Sequence, residues 1–126
     1  MGTCSTSAST CESGWGVAWL VHDGRVLASL ELPEGRSGRR RGLLGRSGID
    51  GALLLSPARS VHTVGMRFAI DAAQCDADLR VLRIVTLPPN RVLLPVRGAR
   101  AVVEAEAGAF SRWSVGPGAR LEVHGE

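Results

Sequence analysis

Short runs in which apolar and polar positions alternate occupy most of the chain, a pattern typical of β-strands. The apolar runs WGVAWLV and RVLASLEL flank His22-Asp23-Gly24. Because an Asp-Gly pair supplies the positive φ angles of a tight turn, these runs predict a first β-hairpin. Residues 66–74 alternate, and the turn-forming run 76–78 separates them from residues 79–87, which are rich in β-branched and apolar types. This arrangement predicts a second hairpin over 66–87.

Alternation within the first strand of the second hairpin assigns its side chains to two faces. Met66, Phe68 and Ile70 share the face that is expected to point into the core, whereas Arg67 and Asp71 share the other. Asp71 closes an otherwise apolar strand, so we expect it to act as a buried hydrogen-bond acceptor. Replacing it with alanine is therefore predicted to destabilise the fold by more than about 1 kcal/mol.

Further strands are predicted in the rest of the chain. The run GALLL at 51–55 predicts a buried strand, and ARLEV near the end of the sequence predicts the last strand. The run ARAVVEAEA at 99–107 predicts another strand, in which Glu104 and Glu106 are expected to face water. Gly108 then begins a predicted short turn or helix.

One more helix is predicted in the arginine- and glycine-rich run RSGRRRGLLGRSG, where Ser37 can cap its start and Gly45 can end it. With six or seven short strands, the chain is predicted to be mainly β: a small single-domain β-sandwich or barrel with one short helix near residues 37–44. Residues 1–14 are predicted to form a flexible N-terminal tail, and residues 15–126 a single β-rich domain.

The composition of the chain bears on how the domain folds and on its cellular location. With 126 residues, 44% of them hydrophobic, the chain can fold without a metal or a disulfide. No apolar run approaches the roughly 18 to 20 residues of a membrane span. The Ser/Thr-rich start lacks the basic and apolar regions of a signal peptide. We therefore expect no membrane partner and a cytoplasmic location.

Charge and cysteine spacing argue against two further classes of protein. All fifteen basic residues are arginine, but twelve acids leave a net charge of only +3, too mild to indicate a nucleic-acid-binding protein. Cys4, Cys11 and Cys75 lack the spacing of a metal site. We therefore expect neither a metal nor another cofactor, and interpret Cys75 as a packed residue or ordinary thiol.

Four stretches in order resemble the bacterial and archaeal family called domain of unknown function 192: RRGLLGR at 40–46, HTVGMRFAID at 62–71, RVLRIVTLPPNRV at 80–92 and ARAVVEAEAGAF at 99–110. The resemblance covers roughly residues 25–124. It implies a small, mostly β fold of sandwich or barrel type and brings no established reaction. The chain departs from the family pattern where Ala69 replaces a proline and where Leu79 replaces a turn glycine.

The segment SVHTVGMRFAID, residues 60–71, concentrates the candidate site residues and is termed the signature segment. We favour a non-catalytic binding or accessory module whose site around this segment takes an unknown small molecule or protein. The candidate ligand-binding residues are polar, and they lie in the signature segment or in the basic segment before it: His62, Thr63, Arg67, Asp71 and Arg46.

Two alternatives stay open. A small enzyme could use His62 and Asp71, because histidine exchanges protons near neutral pH and a carboxylate can orient it. That pair meets only if the chain between its members folds back, which Gly65 permits, and we favour the absence of catalysis. The arginine-rich loop Arg36–Arg46 could instead bind anions or nucleic acid. Because no aromatic residue in this loop offers a base-stacking platform, we do not expect a nucleic-acid partner.

Overall fold

A computed structural model of the chain describes residues 16–32 and 51–125. Several predictions fall outside these residues: the flexible tail at 1–14, the short helix near 37–44, and the arginine-rich loop Arg36–Arg46. Cys4 and Cys11 fall outside them as well.

The described residues form seven strands and one short helix: β1 (Gly16–His22), β2 (Arg25–Leu32), β3 (Ala52–Leu55), β4 (Ile70–Cys75), β5 (Val81–Leu87), β6 (Ala101–Glu106), α1 (Ala109–Arg112) and β7 (Glu122–Gly125). The strands join one mixed sheet in the order β5-β4-β6-β3-β2-β1-β7. The β2–β3 pair is parallel, and the other neighbouring pairs are antiparallel. The mainly β, single-domain class is confirmed, as is the turn or helix after Gly108.

The sheet curls without closing into a barrel. The segments before β5 and β7 meet at an isolated antiparallel bridge between Arg80 and Arg120, where the Val81 N–H donates to the Ala119 carbonyl at 2.8 Å. Among the described residues β5 and β7 themselves do not pair, so both remain edge strands. In the same part of the chain, no helix is long and apolar enough to cross a membrane.

The first predicted hairpin is confirmed. β1 and β2 pair antiparallel up to His22 opposite Arg25, and the turn holds Asp23 at φ +56° and Gly24 at φ +77°. Positive φ at both central positions is the mark of a type I′ turn, whose twist matches that of the flanking strands. The Asp-Gly pair therefore determines both the place and the conformation of this turn.

The second hairpin is shorter than predicted, because its first strand begins at Ile70 instead of residue 66. Upstream, the Met66 N–H donates to the Thr63 carbonyl at 3.1 Å and closes a turn with Gly65 at φ +84°. Glycine adopts this left-handed conformation without steric cost, so a turn replaces the first part of the predicted strand.

Apolar side chains are buried on both faces of the sheet. The face that the curled sheet encloses is termed the inner face. Its core consists of Ala18, Leu20, Leu30, Ala52, Ala73, Cys75, Val81, Val103, Ala105, Ala109, Phe110, Val115 and Leu121. Segments 56–69 and 88–100 help to bury the opposite face of the sheet, which is termed the loop-covered face. Its core consists of Leu53, Met66, Ile70, Ala72, Leu87, Leu93 and Val102. All six residues of β4 are buried, since both cores pack against this strand.

Candidate functional site

The signature segment contributes to a pair of loops on the loop-covered face. Segments 56–69 and 88–100, termed the loop pair, are joined by an antiparallel bridge between His62 and Val92. A main-chain hydrogen bond on each side of the bridge holds the two segments together. They therefore run beside each other as a short two-stranded ribbon.

The buried side chain of Thr63 holds the two segments of this ribbon together by hydrogen bonds. Its hydroxyl is buried, donates to the Pro88 carbonyl at 2.6 Å and accepts from the Arg91 N–H at 2.9 Å. The Thr63 N–H donates to the Arg91 carbonyl at 2.8 Å. The hydroxyl uses both its donor and its acceptor function within the protein, so the structure places this candidate residue in the loop framework.

Gln74 in β4 anchors both halves of the loop pair to the sheet. Its Nε2 donates to the Arg59 carbonyl at 2.9 Å and to the Leu94 carbonyl at 2.8 Å, one from each segment. These two bonds fix the orientation of the amide. They leave its Oε1 buried without a hydrogen-bond partner in the described parts of the chain, although a buried acceptor is normally satisfied.

The side chains of the ribbon alternate between buried and exposed positions. Thr63 and Leu93 are buried, and the exposed residues on either side of each in the sequence are together termed the outer face: His62, Val64, Val92 and Leu94. The three aliphatic side chains of this outer face are exposed by 52%, 64% and 68%, in sequence order. The His62 Nδ1 accepts from the Val64 N–H at 3.3 Å, which turns the imidazole toward its own loop.

The loop pair carries positive charge and no negative charge. Neither segment contains an aspartate or glutamate. The five arginines of the loop pair are all exposed: Arg59, Arg67, Arg91, Arg97 and Arg100. Within the described parts of the chain, none of the five forms an ion pair, whereas Arg112 outside the loop pair meets Glu106 at 2.9 Å. The outer face is thus an apolar surface on a basic pair of loops.

Asp71 lies on the opposite side of the sheet from His62. It alternates with Ile70 and Ala72 of the loop-covered core, so its side chain points to the inner face. The Asp71 Oδ1 accepts from the Thr86 hydroxyl at 2.6 Å, and its Oδ2 accepts from the Gly108 N–H at 3.0 Å. No hydrogen bond joins Asp71 to His62 among the described residues.

The remaining candidates are divided between the loop pair and the rest of the chain. Arg67 is exposed in the loop pair, in the same segment as His62 and Thr63. It lies before β4 and does not share a strand face with Asp71, contrary to the sequence prediction, because the turn at Gly65 replaces the start of the strand. Arg46 lies outside the described residues.

Glu104 is the largest departure from the sequence prediction. It was expected to face water, but only 6% of its surface is exposed. In the sheet it stands between Leu53 of β3 and Ala72 of β4, both in the loop-covered core. Its carboxyl has no hydrogen-bond partner among the described residues, and burial raises its pKa from 4.5 to about 7. Glu106, by contrast, is exposed as predicted.

Neither a metal cluster nor a reactive thiol is found in the part of the chain that the structure describes. No group of three or more metal-ligating side chains comes together in residues 16–32 and 51–125. Cys75 is fully buried in the inner core, and its burial, together with the charge of nearby Asp76, raises the pKa of the thiol to about 12. Since the thiolate is the reactive form, this cysteine behaves as a packed apolar residue.

Comparison with known proteins resolves the family. The profile of the family described as DUF192, Uncharacterized ACR, matches residues 17–123. The chain belongs to the domain of unknown function 192 family. The resemblance seen in the sequence is thereby confirmed. No curated protein matches the chain.

Solved structures share the fold of this family member. A crystal structure of a candidate transcription regulator from Sinorhizobium meliloti is 23% identical, covers 87% of this chain and 94% of its own, and superposes with a TM-score of 0.72. A protein of unknown function from Novosphingobium aromaticivorans is 19% identical, covers 86% of this chain and 84% of its own, and has a TM-score of 0.69. At these identities the likeness shows the fold alone.

Hydrogen bonds connect the stretches of sequence on which the family resemblance rests. Thr63 of the signature segment binds the first residue of the Pro88-Pro89 pair. Asp71, the last residue of the signature, binds Gly108 of the segment that follows β6, 37 positions away in the sequence. These contacts show that the motifs build the framework of the fold, with each motif holding another in place.

The turn of the second hairpin lies where the family resemblance leads us to expect a glycine. Leu79, in place of the glycine, adopts φ +64°, the left-handed conformation that suits glycine. Asp76 supports the turn, because its Oδ1 accepts from the N–H groups of Asp78 and Arg80, each at 2.9 Å. The leucine side chain also packs against the inner core.

Sequence reasoning missed Gln74 and Glu104 as features of this site. Glutamine and glutamate are usually exposed, so residue type gives no sign of their burial. The available signal was position: both lie in apolar strands, and Val102 shares the face of Glu104. That signal becomes decisive only once β6 is known to lie between β3 and β4.

Proposed function

We propose that this chain is a non-catalytic protein-binding module and that the outer face of the loop pair is its contact surface. The observation that carries the proposal is the exposure of three aliphatic side chains of the loop pair, Val64, Val92 and Leu94, near the bridge between His62 and Val92. Single exposed aliphatic residues are ordinary, but a contiguous apolar group with polar surroundings is typical of an interaction surface.

The attachment of the loop pair supports the same proposal. Thr63 ties the two segments together, and Gln74 binds the main chain of both from the sheet below. The main chain behind the exposed side chains is therefore held before a partner arrives. A preformed surface loses less conformational entropy on binding than a flexible one, so more of the contact energy becomes affinity.

The alternative use of His62 and Asp71 as a catalytic pair gains less support. Both Asp71 oxygens already accept hydrogen bonds from groups that build the fold, and the side chain points away from the loop pair. A carboxylate that orients a catalytic histidine must reach its ring nitrogen. The arrangement favours a structural role for Asp71 and a surface role for His62.

The proposal is tested by crosslinking in cells of the source organism. A photoreactive residue replaces Leu94 in the full chain, and a matched control carries it at Val26 of β2, which is 62% exposed outside the loop pair. We expect one protein to be crosslinked from position 94 and not from position 26. That protein is then purified and bound to the unmodified chain.

Reconstitution decides the outcome. We expect Leu94→Asp to weaken binding of the purified partner at least tenfold, with Val26→Asp leaving it unchanged. Leu94→Asp is expected to leave the unfolding free energy within about 0.5 kcal/mol of wild type, because the residue is exposed. No crosslink specific to position 94, or equal binding by both variants, would overturn the proposal.

A further inference from the structure

We infer that the outer face recognises an acidic protein segment, one that presents aliphatic side chains flanked by carboxylates. This inference rests on the proposed function and adds the chemistry of the partner. Its separate basis is the charge of the loop pair, which has five exposed arginines and no acid in segments 56–69 and 88–100.

These arginines are available for a partner. Among the described residues none of the five contacts a carboxylate, and the hydrogen bonds formed by their guanidinium groups are local: Arg91 Nη1 donates to the Asn90 carbonyl at 3.5 Å and Arg100 Nη1 to the Ala99 carbonyl at 3.1 Å. Most of their donor capacity therefore faces solvent. An arginine guanidinium offers five N–H donors in a planar fork that fits a carboxylate in a bidentate manner.

The arrangement of charge and apolar surface selects among anionic partners. Arg91 directly precedes Val92 in the sequence, and both side chains are exposed, so the segment that carries the apolar side chains also carries positive charge. Interfaces between proteins commonly combine an apolar centre with a polar rim, and arginine is enriched in them. An acidic segment with aliphatic side chains meets both requirements at once.

Nucleic acids and lipid surfaces fit the loop pair less well. Of Phe, Tyr and Trp it contains only Phe68, which is half-buried against the loop-covered core, so the His62 imidazole is its one exposed ring for base stacking. The aromatic side chains that usually sit at a membrane interface are likewise missing from the outer face. Duplex DNA and anionic vesicles therefore serve as competing arms of the test.

The test is a selection with random twelve-residue peptides displayed on phage. The full chain is the bait, and binders that also bind the Leu94→Asp variant are removed. We expect the surviving peptides to be enriched in Asp and Glu next to Leu, Ile or Val. An enrichment without acids, or no surviving peptide, would overturn the inference.

The best peptide is then measured by fluorescence anisotropy. Removing an exposed opposite charge costs about twofold to fivefold in affinity, so we expect that loss for Arg67→Ser and for Arg91→Ser. Arg120→Ser, at an exposed position before β7 and outside the loop pair, is the matched charge control and should bind as wild type. Raising the salt from about 50 to 300 mM should weaken binding, because exposed charges are screened.

The remaining outcomes separate the inference from the proposed function. Tighter binding of duplex DNA or of phosphatidylglycerol vesicles than of the peptide would overturn the inference in favour of those partners. Suppose instead that the crosslinked partner depends on Leu94 but is insensitive to salt and to both arginine variants. The inference then fails, whereas the proposed function stands.

Discussion

Asp71 and Glu104 are buried carboxyl groups in neighbouring central strands, and the sheet separates them. Asp71 on the inner face accepts one hydrogen bond at each oxygen, from Thr86 and from Gly108. Glu104 on the loop-covered face has no partner among the described residues and lies between Leu53 and Ala72. The Asp71 carboxyl helps to hold the fold together, whereas burial of the Glu104 carboxyl disfavours its ionised form.

Gln74, under the loop pair, is a second polar residue on the loop-covered face that has an atom without a hydrogen-bond partner among the described residues. On the loop-covered face, the Gln74 amide N–H groups donate to the two loops, and its Oε1 has no partner within residues 16–32 and 51–125. An unpaired buried polar group costs roughly 1–3 kcal/mol, and more when it is charged. The two oxygens of Asp71 on the inner face are thus both paired, whereas the carboxyl of Glu104 and the Oε1 of Gln74 on the loop-covered face have no partner among the described residues.

The largest predicted effect follows from removing the framework carboxylate. Asp71→Ala deletes two hydrogen bonds to a charged acceptor, so we expect a loss of about 3–4 kcal/mol in the free energy of unfolding. Urea unfolding at neutral pH measures this loss, and Asp78→Ala, at an exposed turn position, is the control. An unchanged midpoint would show that Asp71 does not hold β4, β5 and Gly108 together.

The next effect is a pH dependence that arises from Glu104. Burial raises its pKa from 4.5 to about 7, so the native state binds this proton more tightly than the unfolded chain does. The contribution to stability is fully present below pH 4.5, falls as the pH rises toward about 7, and then stays low. At about 1.4 kcal/mol per pKa unit the change is on the order of 3 kcal/mol.

Substitution isolates this dependence from that of other groups. Glu104→Gln removes the ionisation and should raise stability at pH 8 relative to wild type while changing it little at pH 4.5. Glu106→Gln, at the exposed glutamate of the same strand, should leave the difference between the two pH values intact. If wild type and Glu104→Gln show the same pH dependence, Glu104 is paired in solution and the contrast with Asp71 disappears.

The smallest effect compares two threonines, one for each face. Thr63→Val removes a donor to Pro88 and an acceptor from Arg91, so we expect a loss of about 1–2 kcal/mol. Thr86→Val removes only the donor to Asp71, and because Thr86 is exposed, water can replace that donor and the cost should be about 1 kcal/mol. Thermal unfolding ranks the two variants. A larger loss for Thr86→Val would show that the loop pair is less firmly fixed than its hydrogen bonds indicate.

Local sequence signals located much of the fold. The Asp-Gly turn predicted the first hairpin, and the run 76–78 placed the turn of the second. Both depend on residues next to each other in the chain, where turn chemistry and alternation act directly. The start of β4 was wrong by four positions, because Gly65 and a hydrogen bond to Thr63 make a turn where alternation alone indicates a strand.

The candidate site was only partly accessible to the same reasoning. The signature segment contains the residues that the structure places in the loop pair, including His62, Thr63 and Arg67. Its partner segment at 88–100 could not be assigned, because their pairing joins residues about thirty positions apart through His62 and Val92. The exposed aliphatic surface exists only when both segments are side by side.

The sequence by itself determined the mainly β class, the family and most strand positions, because alternation and turn residues act over a few neighbouring positions. The tertiary structure decided which face each buried carboxylate occupies and what meets it there. β6 lies between β3 and β4, so Glu104 became buried, and the bond from Gly108 to Asp71 spans 37 positions. Such burial and pairing depend on which distant strands and loops come together, a property that no short stretch of sequence contains.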